Sequence, residues 1–428
     1  MVRNIVVLGG NSHPKFVDSV CEFLGVAPSQ RVLNKFSSGE TRCEIQDSVR
    51  GKDVFIIQSF GVGAGQEHVN DYFIELCIMI SACKTGSARR VTAVLPMFPY
   101  SRQPDLPYTK TGAPRDTFES VPATPAPSIP RTAGLTNNVD LTDAIATKAL
   151  PKGAQTPPPQ SQSQSQTQPQ SQSHPQQQQQ SHHHYTTHDY ENPTLVMAVQ
   201  ANSSGYKHWV AQAGSLVADL LTCAGADRIL TCDLHEGTYQ GFFDIPVDNL
   251  YARPLLKRYI QQNLDSHGFR DAVIVSPDAG GAKRATAIAD SLGMAFALIH
   301  KERRPTKMTD RPKATMMLVG DVANRVCILV DDLADTASTI TRAAKLLKRE
   351  GAVRVVALLT HGVLSGDAIA RINASHLDTL VVTNTVAQDH DRRLACPKLE
   401  VLDISPFFAE AIRRVHHGES ISVLFQYD

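Results

Sequence analysis

Chemistry is densest between Cys327 and Thr339, in the stretch CILVDDLADTAST. Four apolar residues end in Asp331 and Asp332, and Asp335, Thr336, Ala337, Ser338 and Thr339 follow where a strand would give way to a helix. A helix N-terminus offers free N–H groups and the positive end of its dipole to an anion. The hydroxyls add donors for phosphate oxygens, while the paired acids can accept from sugar hydroxyls or hold a magnesium ion. A sugar phosphate would use all of these groups. An ordinary capped helix would need one cap residue and no pair of acids at an apolar strand end.

Three further stretches carry comparable groups. Asp233 and His235 are two residues apart and so leave a strand on the same side, with Asp244 and Asp248 close behind them. Imidazole plus carboxylates suits a magnesium–nucleotide complex better than a structural zinc site. In SPDAGGAKR, Asp278 precedes glycines that let the backbone approach a bound anion. In HKERR, Lys301 and Arg303 alternate to one side of a strand end, where a cationic pair can stabilise charge spread over phosphoryl oxygens. Taken alone, HKERR would be a solvated charge run.

Such residues act together only if a scaffold gathers them. Short β-rich runs (NIVVLGG, VFIIQS, RVTAVLP, RILTCDL, AVIVSP, AFALIH, VCILVDD, VRVVALLTHG, TLVVTN, LEVLDIS) alternate with helical patterns such as VNDYFIELCIMISACKTG, WVAQAGSLVADLLTCAG and TASTITRAAKLLKREGA. Continuous apolar strands between helices predict an α/β fold of mostly parallel sheets covered on both faces. Ligands of such sheets bind at the carboxyl ends of the strands, where all four stretches are expected. The 428 residues, 42% of them hydrophobic, suffice for two domains. A Pro-, Ser- and Gln-rich tract predicts a disordered insert over 106–204, because it can bury too little apolar surface to offset its ordering entropy. His182, His183 and His184 read as part of that low-complexity tract rather than as a metal site. The expected division is an N-terminal domain over 1–105 and 205–251, the insert, and a C-terminal domain over 252–428 whose extreme end packs back on the first.

Equal numbers of basic and acidic side chains, 42 of each, remove the electrostatic case for a nucleic-acid or anionic-membrane partner. The eight cysteines form no C-x-x-C pair and read as buried thiols of a reducing compartment. No apolar run reaches the length of a membrane span, and MVRNIVVLGG is too short for a signal-peptide core, so the cytoplasm is the expected location.

The 331–339 run resembles the ribose-phosphate loop of type I phosphoribosyltransferase-like folds. Other blocks narrow the likeness to the ribose-phosphate pyrophosphokinases, also called phosphoribosyl pyrophosphate synthetases. DLHEGTYQGFFDIPVD follows their D-L-H, five residues, G-F-F-D-I-P-V-D, and SPDAGGAKR, HKERR, KFSSGET and FPYSRQ stand in the family's order. The glutamine-rich insert is similar to that of fungal paralogues. The resemblance implies two tandem phosphoribosyltransferase-like domains and pyrophosphoryl transfer from Mg2+-bound ATP to O1 of ribose 5-phosphate, releasing AMP and feeding nucleotide, including purine, synthesis. It implies Lys301 and Arg303 as catalytic, and Asp233, His235, Asp244, Asp248 and Asp278 at the metal. Phe36, Ser38, Glu40, Arg102, Gln103 and His235 fall at ATP, with residues 36–40 serving a neighbouring subunit. Residues 331, 332 and 335–339 fall at ribose 5-phosphate, and Ser48, Arg50, Ser420, Ser422 and Phe425 around a regulatory phosphate. A homo- or hetero-oligomer with paralogous subunits is implied as well.

The sequence departs from the family at four places. Ser38 replaces an Asn, Ser338 a Gly, and Glu236-Gly237-Thr238 a small residue, Ser and Gln. After FPYSRQ the cationic lid gives way to the insert, and Trp209 stands near an expected Arg, with Lys110, Arg115 and Lys207 as the nearby cations. Two readings follow: a working synthetase, or a structural or regulatory subunit dependent on a catalytic paralogue.

Overall fold

The structure, a computed structural model, describes residues 4–61, 68–102, 213–263, 271–302 and 315–425. The expected insert, Gln103 and Arg303 lie outside them. The described residues belong to one compact unit, Met1–Thr109 with Tyr206–Asp428.

The first sheet joins β1 (Ile5–Gly9), β4 (Asp53–Ile57), β5 (Arg90–Leu95), β6 (Arg228–Cys232) and β7 (Val247–Leu250) in that order, every pair parallel. Their near-continuous burial accounts for the absence of a polar/apolar alternation, since helices cover both faces. Between β1 and β4 a separate antiparallel hairpin, β2 (Arg31–Lys35) with β3 (Thr41–Ile45), stands apart from the sheet. The second sheet runs β10 (Thr315–Val319), β9 (Ala295–Glu302), β8 (Val273–Ser276), β11 (Val326–Ala334), β12 (Arg354–Gly362), β13 (Thr379–Thr383) and β14 (Leu399–Leu402), with only the β9–β10 pair antiparallel. From β8 the chain moves to β9 on one side, and β11 then returns to β8's other side. This reversal makes β8/β11 the topological switch point, where the splayed strand ends leave a crevice.

Helices fill the space between and outside the sheets. Helix α1 (Pro14–Leu24) begins on a proline, whose missing N–H is unneeded in the first turn, and ends on Gly25 at φ 67°, which caps the carbonyls of Cys21 and Glu22. Its buried stripe, Phe16, Val17, Val20, Cys21 and Leu24, meets the buried face of α9 (Ser405–His417), where Phe16 and Phe408 pack edge-on at 5.4 Å. Leu256 and Ile260 of α4 (Arg253–Asn263) and Ile288 of α5 (Ala282–Leu292) extend the same core beneath both sheets. Outside, α2 (Val69–Thr85) and α3 (Ala213–Ala224) cover the first sheet. The far face of the second is covered by α6 (Ser338–Arg349) and α7 (Ala368–Asn373), with α8 (His390–Ala395) near its edge. All eight cysteines are unpaired; Cys21, Cys83, Cys232, Cys327 and Cys396 are buried as expected, whereas Cys223 is exposed. Burial pushes the Cys21 thiol up to about 12.

A buried polar seam ties the end of β6 to the second sheet. Asp233, at φ 40°, accepts from the backbone N–H of Ala252 at 2.9 Å and from the Thr360 hydroxyl at 2.6 Å. His361 Nε2 lies 3.0 Å from the carbonyl of Cys232 and 3.2 Å from that of Asp233, so this nitrogen carries the proton. Burial lowers the pKa of His361 and keeps the ring neutral. Replacing Thr360 with Val keeps the volume but removes one donor to a buried carboxylate. The expected cost is about 2 kcal/mol, read as a lower denaturation midpoint with an unchanged slope.

At the opposite strand ends, buried Asp53 receives Arg90 Nη2 at 2.6 Å and faces His416 Nδ1 of α9 at 2.9 Å. Burial opposes ionisation there, but the Arg90 hydrogen bond and charge, then His416, outweigh it and hold the Asp53 carboxyl below its usual range. A depressed carboxylate stabilises the fold above its unfolded pKa, about 3.9, and this contribution disappears as pH falls through the folded value. Wild type should therefore exceed Asp53→Asn in urea midpoint at pH 6, and the gap should shrink by pH 2. A gap independent of pH would show that the carboxylate's charge is not what matters.

Candidate active site at the switch point

Strand β11 carries Asp331 and Asp332 out at the switch point, and β8, its neighbour, delivers Asp278 beside them. Asp332 is buried, its side chain 4% exposed, and both its oxygens are engaged. Arg284 of α5 donates from Nη1 to Oδ1 at 3.0 Å, and His235, just after β6 of the first sheet, approaches Oδ2 through Nδ1 at 2.6 Å. Asp331 is held more lightly: its Oδ1 accepts the backbone N–H of Asp332 at 2.9 Å, and Arg284 stands 3.7 Å away.

The two acids respond to this asymmetry in opposite directions. Burial, then the charges of Asp332 and Asp278, push the Asp331 carboxyl well above the ordinary value. Burial also opposes ionisation of Asp332, but the His235 hydrogen bond and the Arg284 charge overcome it and hold that carboxyl far below the usual range. Conversely, the hydrogen bond to Asp332 raises the pKa of His235 against its partial burial. The pair thus carries one firmly fixed negative charge.

Gly281 shapes the adjoining gap. A β-carbon there would lie 3.1 Å from Ser276 Oγ, 3.7 Å from Asp278 Oδ1 and 3.8 Å from Asp331 Oδ1. Its own N–H donates to Asp278 Oδ1 at 3.0 Å. Beyond β11, the loop to α6 is braced from outside: Asp335 takes Arg102 Nη1 at 2.6 Å and the Ser365 hydroxyl, and Arg371 holds the carbonyl of Thr336. Ala337 sits in the left-handed region at φ 58°, and Ser338 begins the helix. Thr336 Oγ1 donates to Ser338 Oγ at 3.3 Å, so the two hydroxyls are side by side.

The other expected residues are distributed more widely. Asp233 is committed to the polar seam, Asp248 of β7 pairs with Arg228, and Asp244 is exposed. Among the described residues no three His, Cys, Asp or Glu groups converge closely enough to hold a metal ion. Asp278 and Asp331, which flank the gap at Gly281, are hard oxygen donors of the kind magnesium accepts, and such an ion keeps water and phosphate ligands as well. The fit is therefore to a metal arriving with a polyphosphate.

Glu236, which the sequence places beside His235, caps the short 3₁₀ turn Gly237–Phe242 through the N–H of Thr238. Phe36, 53% exposed, Ser38 and Glu40 form the tip of the β2–β3 hairpin, with the Ser38 hydroxyl on Glu40 at 2.8 Å. Ser48 and Arg50 are exposed, Ser420 and Ser422 share a 2.7 Å hydrogen bond, and Phe425 packs on Tyr251. The backbone of Lys301 lies at the end of β9. Arg284 was missed by sequence reasoning, although SPDAGGAKR contained it, because only the fold shows that the first turn of α5 faces β11.

Comparisons with known proteins agree with this geometry. Residues 5–111 match the family described as the N-terminal domain of ribose phosphate pyrophosphokinase, and 305–426 the phosphoribosyl synthetase-associated domain. Over 427 residues, 100% of this chain and 99% of its relative, the sequence is 46% identical to ribose-phosphate pyrophosphokinase 5 of Schizosaccharomyces pombe. The crystal structure of phosphoribosylpyrophosphate synthetase from Mycobacterium smegmatis superposes with a TM-score of 0.66 at 31% identity, covering 97% of this chain and 100% of that one. A switch point armed with paired acids, in a chain alike from end to end, places this protein in the ribose-phosphate pyrophosphokinase family.

Proposed function

We propose that the chain makes 5-phosphoribosyl 1-pyrophosphate from ribose 5-phosphate and Mg2+-bound ATP, releasing AMP, within an oligomer of its own or paralogous subunits. The observation that carries this reading is the acid pair at the switch point, followed directly by the hydroxyl-bearing loop into α6. The loop's hydroxyls and the N-terminus of α6 receive the 5-phosphate, and the acid end addresses the sugar hydroxyls. Held there, the sugar's O1 attacks the β-phosphorus of ATP in line, its proton leaves to solvent, and the bond from that phosphorus to the AMP oxygen breaks. Lys301 and Arg303 stabilise charge on the transferred group as that bond loosens. Asp278 and Asp331, whose carboxylates flank the gap at Gly281, would hold magnesium, which would supply positive charge against the polyphosphate.

The hairpin tip with Phe36, Ser38 and Glu40 serves the adenine of a neighbouring subunit, and Arg102 and Gln103 the ATP of their own. Ser48, Arg50, Ser420, Ser422 and Phe425 line a regulatory phosphate site. Among the described residues no helix is long and apolar enough to cross a membrane, and we place the activity in the cytoplasm.

Purified chain supplied with ribose 5-phosphate, ATP and magnesium should yield AMP and phosphoribosyl pyrophosphate in equal amounts, alone or with a paralogous subunit added. Turnover only with the paralogue, unaffected by Lys301→Ala in this chain, would assign it the regulatory role. On the proposed reading Lys301→Ala lowers kcat by roughly 100-fold or more while the melting temperature stays within about a degree, since the substitution removes charge stabilisation of the transition state.

A further inference from the structure

The outer face of α6 carries positive charge that the described residues leave partly unanswered. Arg342, Lys345 and Arg349, three and four residues apart, share one face of the helix and span about 10 Å along it, with Lys348 beside them. No acid occurs anywhere in Ser338–Arg349, so within the helix these cations only repel one another. Two of them have a local explanation. Lys348 and Arg349 stand in the last turn, where the helix dipole favours cations, and they pair with Asp378 at 3.0 Å and Glu350 at 2.9 Å. Arg342 and Lys345 precede that turn, both are exposed, and neither side chain has a partner among the described residues. By contrast, Arg413 and Arg414 of α9 share Glu410 and Glu419.

The cationic stripe is also part of a concavity. With half-buried Met316 of β10 and buried Leu346, the four cations and His376 line a cavity of about 650 Å³. None of the residues gathered at the switch point lines it. Its volume suits a small molecule, whereas a protein partner would need a broad contact surface. A single phosphate could meet only part of so long a stripe, but a chain of phosphates can follow it, and guanidinium forks take phosphate oxygens two at a time. We propose that this groove on α6 is a binding site for a phosphate chain, free or carried by a nucleoside, distinct from the catalytic crevice. Arg342 and Lys345 supply the uncommitted charge, Arg349 extends it, and His376 adds a ring N–H donor. Met316 and Leu346 give an apolar floor for the base of a nucleoside polyphosphate, with the Met316 sulfur suited to an aromatic ring. The site does not depend on what the crevice binds.

The test is residue-resolved, so that binding in the crevice does not obscure it. Full chain is treated with a lysine-acetylating reagent, with and without inorganic tripolyphosphate, and the modification of each lysine is followed by mass spectrometry. Lys345 should be protected about fivefold or more, less so as salt rises, while exposed Lys15 on α1 reacts at an unchanged rate. In Arg342→Gln/Arg349→Gln, melting within about a degree of wild type because both side chains are exposed, the same protection should need about tenfold more tripolyphosphate. ATP that protects at lower concentration than tripolyphosphate, an advantage lost in Met316→Ala, would make the occupant a nucleoside polyphosphate; equal protection by both would make it the phosphate chain alone. A Lys345 whose reactivity neither ligand changes, protection shared equally by Lys15, or protection undiminished in the double variant would overturn the site. Protection by polyglutamate and not by tripolyphosphate would overturn it too, and reassign the groove to an acidic protein segment.

Discussion

Two carboxylates on consecutive residues at the end of a buried strand are a costly arrangement, because each loses hydration and each repels the other. The protein meets that cost by splitting the pair. Asp332 is surrounded by Arg284 and His235 and kept ionised, while Asp331, with weaker help, is driven toward its neutral form. One stable charge and one adaptable group result, and the positions of β6, β8, β11 and α5 all have to be right for the split to exist. A shift that withdrew Arg284 would leave a buried charge short of its partner, the kind of loss that typically costs about 3–5 kcal/mol.

What holds those four elements in place is the way the two sheets share an interior. The stripe of α1 and the face of α9 build one core between them, so the first sheet cannot slide on the second without unpacking Phe16 from Phe408. Apolar contact alone would not fix the register of His235 against Asp332. The seam does, because the Asp233 carboxylate and the His361 ring are satisfied only when Thr360 and the carbonyls of Cys232 and Asp233 lie at hydrogen-bond distance. Asp233 and His235 flank a single residue, so anchoring the first confines the second. The seam and the site are adjacent parts of one polar layer.

The apolar runs identified most strands correctly, because parallel strands covered on both faces leave an unbroken apolar signature. They missed β2, β3, β7 and β10. The first two hold no buried residue, β3 alternating half-buried and exposed positions over Thr41–Ile45, and belong to a hairpin outside both larger sheets. The acids at 331 and 332 were legible as a cluster of candidate functional groups because type and spacing are local properties. Their division of labour was not, since it depends on His235, 97 residues away. Asp233 shows the same limit from the other side. Its place in a strand-end motif suggested a metal, while its carboxylate closes on Thr360, 127 residues further along. Long-range pairing decides what a motif residue does, and a linear pattern cannot contain it.

Local geometry also changes how the departures from the family pattern bear on activity. Ser338, where the family has a glycine, begins α6 with helical backbone, a conformation that admits a β-carbon without strain. The left-handed residue of the loop is its neighbour Ala337, buried and at φ 58°, where an alanine costs roughly 1–2 kcal/mol relative to ordinary backbone. Strain of that size persists because Thr341 donates to the Ala337 carbonyl through both its N–H and its hydroxyl, the latter at 2.8 Å, and Arg371 holds Thr336 from outside. Glu236 likewise spends its carboxylate capping a 3₁₀ turn rather than crowding His235. Both substitutions are absorbed by the backbone around them, which leaves the interruption after Arg102 as the departure with the most direct bearing on catalysis. Arg102 is the last described residue before the sequence departs into the insert, and its ion pair with Asp335 joins it to the loop that leads into α6.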